Sequence, residues 1–270
     1  MGAAARRVSN GRAVDAVRQW WWARQRSRPP HPPRGWHTGP PAFVGVGVQK
    51  AGTTWWYRLI TRHPGVVSRG HPKELHYFDL LADRFTPADA ARYSQWFPRP
   101  PGAITGEWTP RYMADDHTPA QLAMAAPDAR LLVLLRDPVE RYISGVTMQV
   151  ARGWPPDDAN AIRRGLYASQ LERLYEWFAP EQVLALQYER CVEHVVGELA
   201  RTYRFLDLDP DFVPRSVGRR INIATRPAVA VDPDRIRALV AQYEPDVTRL
   251  QNLGVEIDLW RWPHFRHLGA

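Results

Sequence analysis

The sequence predicts a three-layer α/β fold with a central parallel sheet flanked by helices. Short, almost wholly apolar runs occur at Phe43–Val48, Arg130–Leu135 and Val183–Gln187. They have the length of strands and lack the alternation of a half-exposed strand. Each has a helical segment after it, and strands alternating with helices build parallel sheets covered on both faces. With 270 residues, 44% of them apolar and 24% charged, the chain can bury one sizeable core.

Residues 1–41 differ in composition from the rest. Arginines and Trp20, Trp21 and Trp22 come first, then a proline-rich run from Pro29 to Pro41. This reads as a short helix over about 13–26 followed by an extended, partly flexible segment. Such a segment serves either as a tail or as a basic, aromatic contact with a membrane surface or a partner. Residues 42–270 form the domain proper.

The first strand, Phe43–Val48, runs into a tight loop, and a helix follows over 54–62, closed by His63, Pro64 and Gly65. After the second strand come Arg136, Asp137 and Pro138, then a helix over 139–150, with Pro138 in the first turn where its missing N–H costs nothing. Helices over 163–178 and 192–205 flank the third strand. A last helix opens at Asp232 and Pro233. Its Ile236, Leu239, Val240, Tyr243, Val247 and Leu250 recur at spacings of three and four, an apolar face.

The net charge of +8 suits a polyanionic ligand, whether nucleic acid, an anionic surface or a phosphorylated cofactor. There is one cysteine, Cys191, so no disulfide forms within the chain. No apolar run approaches the about 20 residues of a membrane helix, and the N-terminus has no uninterrupted apolar stretch of the signal-peptide kind. These features predict a cytoplasmic protein. The sequence has no HExxH pattern and no cysteine cluster, so no metal is expected.

The strongest chemical signal is the loop Gly47-Val48-Gln49-Lys50-Ala51-Gly52-Thr53-Thr54-Trp55. A strand–loop–helix junction directs backbone N–H groups and the helix dipole at an anion. Gly52 lets the chain bend close to that anion, Lys50 adds a positive charge, and Thr53 and Thr54 add hydroxyls. The arrangement is P-loop-like. A nucleoside-triphosphate loop, however, places its lysine directly after the second glycine; here Thr53 stands there and Lys50 lies inside the loop.

The order Lys-Ala-Gly-Thr-Thr-Trp resembles the 5′-phosphosulfate loop of sulfotransferases that use 3′-phosphoadenosine 5′-phosphosulfate (PAPS), chiefly the carbohydrate and heparan-sulfate type and related bacterial enzymes. Three further segments extend the resemblance, which covers about 43–260. Leu131 to Ser144, with Arg136-Asp137-Pro138 inside it, is similar to the family's 3′-phosphate segment, which implies that Arg136 and Ser144 contact that phosphate. Pro72-Lys73-Glu74-Leu75-His76-Tyr77-Phe78-Asp79 resembles the family's base segment. The likeness assigns Glu74 as the base that takes the acceptor proton, supported by His76; a carboxylate partly removed from water is more basic, whereas a pairing with the adjacent Lys73 would pull the other way. Gly106 to Tyr112 resembles a segment that carries a lysine near the sulfuryl group; here Trp108 holds that position. Lys50 then acts alone on the leaving group, or Arg111 substitutes, or Trp108 lines an acceptor pocket. Tyr167 and Gln170 match the start of a helix near the family's site.

The resemblance implies PAPS as co-substrate, bound by Lys50, Ala51, Gly52, Thr53, Thr54, Trp55, Arg136, Ser144 and, in a basic loop over the 3′-phosphate, Arg220. Lys50, Glu74 and His76 are the implied catalytic residues, without a metal. The reaction is sulfuryl transfer to a hydroxyl or amine of a glycan, lipid or small molecule, with no nucleic-acid partner. Two other readings remain open: a P-loop kinase or NTPase, and a non-enzymatic module that binds polyanions through arginines and aromatics.

Overall fold

The three apolar runs are neighbouring strands of one sheet, and a fourth, shorter strand completes it. A computed structural model describes residues 29–68, 71–79, 81, 84–155, 157–218 and 228–269. The helix expected over 13–26 and the basic loop with Arg220 lie outside these residues. The strands are β1 (Phe43–Gly47), β2 (Gly106–Trp108), β3 (Arg130–Leu135) and β4 (Val183–Gln187). They lie in the order β2-β1-β3-β4, every pair parallel. β1 is buried throughout and β3 at all but its first residue, as a sheet covered on both faces requires.

The helices are α1 (Thr53–Ile60), α2 (Pro87–Ser94), α3 (Thr118–Ala125), α4 (Pro138–Ala151), α5 (Asp158–Arg163), α6 (Tyr167–Tyr175), α7 (Tyr188–Glu193), α8 (Val195–Phe205) and α9 (Pro233–Asn252). Of α1 only Thr54 and Arg58 are not buried. Its position is set by specific bonds. Trp56 Nε1 donates to Thr202 Oγ1 of α8 at 3.1 Å, Tyr57 OH to the carbonyl of Gly106 at 3.1 Å, and Tyr203 OH of α8 to that of Leu59 at 3.0 Å.

Two segments expected as single helices are each divided. The run expected over 163–178 starts earlier, as α5, breaks at Gly165, and restarts at Tyr167. The restart is imposed from elsewhere: Asp246 of α9 accepts from the N–H groups of Ala168 (2.9 Å) and Ser169 (3.1 Å), satisfying donors of a first turn. The run over 192–205 is preceded by α7 and parts from it at the non-helical His194. In α9 the apolar face is as expected, with Leu239, Tyr243, Val247 and Leu250 buried. No separate signal marked α2, although Thr86 and Asp89 form a capping box at its start. The proline-rich stretch meets the domain before β1. His37 exchanges backbone bonds with Arg99, and the Ala42 N–H donates to Thr105.

Gly45 in β1 is required for β2 to approach. A Cβ there would fall within the indole of Trp108, a fully buried residue. Gly45→Ala should therefore lower the unfolding free energy by about 3 kcal/mol, an overpacking cost. Denaturant titration checks this; a loss below about 1 kcal/mol would show that the ring has room to move.

Candidate active site

The chain passes from β1 to β2 on one side and then crosses back to β3 on the other. The crevice at the carboxyl ends of β1 and β3 is thus a switch point, where open parallel sheets bind ligands. The pairing of the two strands continues past β1, with Val48 N–H donating to Leu134 at 3.1 Å. Beyond it the β1 loop and Arg136 emerge side by side.

The loop turns through two left-handed residues, Lys50 (φ +76°) and Gly52 (φ +83°), and Gly52 caps α1. A Cβ on Gly52 would come 2.8 Å from the Tyr188 ring, so glycine serves both conformation and packing. Within the first turn of α1 the N–H groups of Thr53 and Thr54 have no intrahelical partner. Ala51 is buried and its N–H donates to Val48. Trp55 is buried, and its N–H is engaged by the carbonyl of Gly52, so it packs the core and offers a ligand no backbone donor. Burial, then the nearby guanidinium groups of Arg136 and Arg152, pull the Lys50 ammonium down from its ordinary pKa. Cations gathered this closely favour an anion with several charges.

Arg136 donates from Nη1 to the carbonyl of Lys50 at 3.2 Å and from Nη2 to Glu140 at 3.2 Å. Its guanidinium lies over the Tyr188 ring, 5.3 Å from the centroid. Tyr167 OH donates to its carbonyl at 2.8 Å. Its Nε is buried with no partner among the described residues, a donor available to a ligand. Ser144 lies on α4 one turn beyond Glu140, hence on the same helix face, about 6 Å further along. Asp137 caps α4 by accepting from the N–H groups of Val139 and Glu140, which fixes the helix relative to the end of β3.

The segment 73–76 is bonded along the end of β2. Trp108 N–H donates to the carbonyl of Lys73 (2.8 Å), Leu75 N–H to Glu107 Oε2 (3.2 Å) and His76 N–H to Thr109 Oγ1 (3.2 Å). Glu107 is fully buried, and burial pushes its carboxyl up to about 7, against hydrogen bonds from Thr109, Leu75, Tyr112 and Tyr93. Glu74 accepts from Lys73 Nζ on Oε1 (2.9 Å) and faces His76 Nε2 with Oε2 (3.3 Å). His76 Nδ1 lies 2.8 Å from Asp79. Burial disfavours the charge on His76, but its bonds to Asp79 and Glu74 outweigh that and raise it to about 9. Burial also works to raise Glu74, yet bonds from His76 and Lys73 hold it at about 2. Of the two opposing expectations for Glu74, burial and pairing with Lys73, the pairing is realised, and with His76 it outweighs burial.

Lys50, Gly52, Thr53, Thr54 and Arg136 thus share one crevice. Glu74 and His76 join them through Lys73, whose Nζ also donates to Thr53 Oγ1 at 3.1 Å. Trp108 does not line a pocket. It is buried, with its Nε1 donating to Gly47 at 3.0 Å, so it supports the loop from beneath. Arg111 is half-exposed and 3.7 Å from Asp79. Tyr167 braces Arg136, whereas the side-chain amide of Gln170 donates to carbonyls of its own helix region. Sequence reasoning placed Lys73 only as a cation that would oppose the basicity of Glu74 if it paired with it, and passed over Asp79, Glu107 and Tyr188. Asp79, three residues after His76, was the most visible; Tyr188, directly after β4, carried only its place at a strand end.

The family model described as the sulfotransferase domain matches residues 40–222, more than half of the chain. Heparan sulfate glucosamine 3-O-sulfotransferase 3B1 of Homo sapiens is 32% identical over 186 residues, covering 62% of this chain and 46% of that protein. Heparan sulfate glucosamine 3-O-sulfotransferase 6 of Mus musculus is 33% identical over 185 residues, covering 62% and 52%. The chain spans about half the length of these curated relatives. Among solved structures, a sulfotransferase from Alicyclobacillus acidocaldarius superposes with a TM-score of 0.66 at 25% identity, over 83% of this chain and 100% of that one. The matched span contains β1 to β4, the Lys50 loop, the Glu74 segment and Arg136, and the chain belongs to the sulfotransferase domain family.

Proposed function

We propose that this protein transfers a sulfuryl group from PAPS to a hydroxyl, or amine, of a glycan, lipid or small-molecule acceptor. The observation that carries this reading is the bond from Arg136 to the carbonyl of Lys50. It joins two anion-recognising loops into one clamp, suited to a nucleotide with phosphate at both its 3′ and 5′ positions. The Arg136 Nε without a partner and the close-packed Gly52 support the fit. The relatives' names, which specify 3-O-sulfation of heparan sulfate glucosamine, favour a sugar hydroxyl among the acceptors.

In this reading the N-terminus of α1 and Lys50 receive the 5′-phosphate, and Arg136 and Ser144 hold the 3′-phosphate. The acceptor oxygen attacks sulfur in line, and its proton passes to Glu74. The bond between sulfur and the 5′-phosphate oxygen breaks, and Lys50 neutralises the charge that grows there. His76, kept as imidazolium by Asp79, orients the Glu74 carboxylate. Positioning and electrostatics supply most of the rate, as in phosphoryl transfer.

The purified protein should be stabilised in a thermal-shift assay by 3′,5′-ADP, the desulfated product, and not by ATP with Mg²⁺; the opposite pattern would replace this reading with that of an NTPase. Labelled PAPS should yield sulfated product with at least one of a glucosamine-containing oligosaccharide, a glycolipid and a phenol. Lys50→Ala should lower kcat by about 10²–10³-fold, and Arg136→Ala should weaken 3′,5′-ADP binding by about tenfold or more. Wild-type values in these variants would remove the assigned roles.

The His76 ring should stay protonated until about pH 9, read from its imidazole resonances by NMR titration. Asp79→Asn removes a negative partner and should bring the midpoint down towards 6.5. An unchanged midpoint in that variant would mean that Asp79 does not hold the charge.

A further inference from the structure

Among the described residues, Lys73 is the side chain that touches both ends of the proposed reaction path. Its Nζ donates to Thr53 Oγ1 at 3.1 Å, in the first turn of the helix whose N-terminus faces the leaving phosphate, and to Glu74 Oε1 at 2.9 Å, the acceptor for the attacking hydroxyl's proton. The side chain is only 14% exposed. Its backbone is pinned by the Trp108 N–H, so the ammonium cannot swing to bulk solvent without leaving this position. An ammonium has three N–H donors, and two are engaged. Trp108, beneath the loop, supplies no charge.

From this placement we infer that Lys73 is a further catalytic residue, whose ammonium binds the sulfuryl oxygens of the donor while they pass from the 5′-phosphate to the acceptor. The inference rests on the sulfuryl-transfer reading above. A group in transit between Thr53 and Glu74 must pass the atom that bridges them, and a compact cation with a spare donor matches its spread negative charge. The acceptor oxygen's lone pair forms the new O–S bond. The old S–O bond leaves its electron pair on the 5′-phosphate, the acceptor proton goes to Glu74, and Lys73 keeps all of its protons.

Sharing its charge with the sulfuryl oxygens also weakens the ammonium's hold on Glu74. The carboxylate then feels less of one of the two cations that depress it, with His76 remaining, backed by Asp79 and Arg111, and with the buried Glu107 behind Lys73. Donor binding thereby makes Glu74 a better base at the moment it is needed.

The test compares Lys73→Met and Lys73→Gln with wild type, measuring affinities for PAPS and for 3′,5′-ADP by calorimetry and kcat with the best acceptor of the panel above. The product lacks the sulfuryl group, so both variants should bind 3′,5′-ADP within about threefold of wild type and thereby report an intact fold. The ratio of PAPS to 3′,5′-ADP affinity should fall about tenfold or more, and kcat by about 10²–10³-fold. The acid limb of kcat should move to higher pH in both. An affinity ratio and kcat within threefold of wild type in either variant overturn the inference. So does an equal loss for both nucleotides, which would assign Lys73 to the loop's structure. Failure of the wild-type protein to bind either nucleotide would instead refute the sulfuryl-transfer reading itself.

Discussion

The parallel pairing of β1 with β3 is the constraint on which the site depends. Each strand by itself ends in a segment that could bind an anion, a loop with Lys50 in one case and Arg136 in the other. Only their side-by-side register, carried past the end of β1 by the bond from Val48 to Leu134, sets the guanidinium against the carbonyl of Lys50. Once there, Arg136 is held by four different neighbours: that carbonyl, Glu140, the ring of Tyr188 and the hydroxyl of Tyr167. An arginine so restrained loses little further freedom when it meets a ligand, the advantage of preorganisation.

The second part of the site depends on β2, the shortest strand. Its residues and the Thr109 that follows bond the backbone of 73–76 at three points, Lys73, Leu75 and His76. The Glu107 carboxyl is the most demanding of these, since a buried carboxyl is costly unless its oxygens are satisfied. Tyr93, Thr109 and Leu75 satisfy them. Trp108, between them, is committed to the opposite task of filling the space above Gly45 and supporting the carbonyl of Gly47. One three-residue strand therefore positions both the loop and the candidate base.

The electrostatics of the crevice follow from unequal pairing. Lys50, Arg136 and Arg152 lie close together, with Glu140 paired to Arg136, whereas Glu74 and Asp79 are matched by Lys73, His76 and Arg111. The first group has an excess of positive charge and calls for an anionic ligand. The second is nearly balanced, its carboxylates each held by neighbouring cations. In the proposed reading, the first group receives the donor's phosphates and the second handles the acceptor's proton.

Much of this could be read from residue order. Buried apolar runs of strand length, each followed by helical periodicity, pointed to a covered parallel sheet, because strands alternating with helices are buried on both faces. The Lys50 loop, Arg136 and the Glu74 segment were legible as motifs because their chemistry is local. Tertiary structure alone decided what those motifs do to one another. The ring of Trp108 is committed to Gly45 through a strand pairing that spacing does not reveal. The start of α6 is set by Asp246, far along the chain. The basicity of Glu74 depends on Lys73 and His76, whose backbone is held beside it by bonds to β2 and Thr109, with His76 in a left-handed turn. Local chemistry is written in order; charge balance depends on distance, and distances between separated segments exist only after folding.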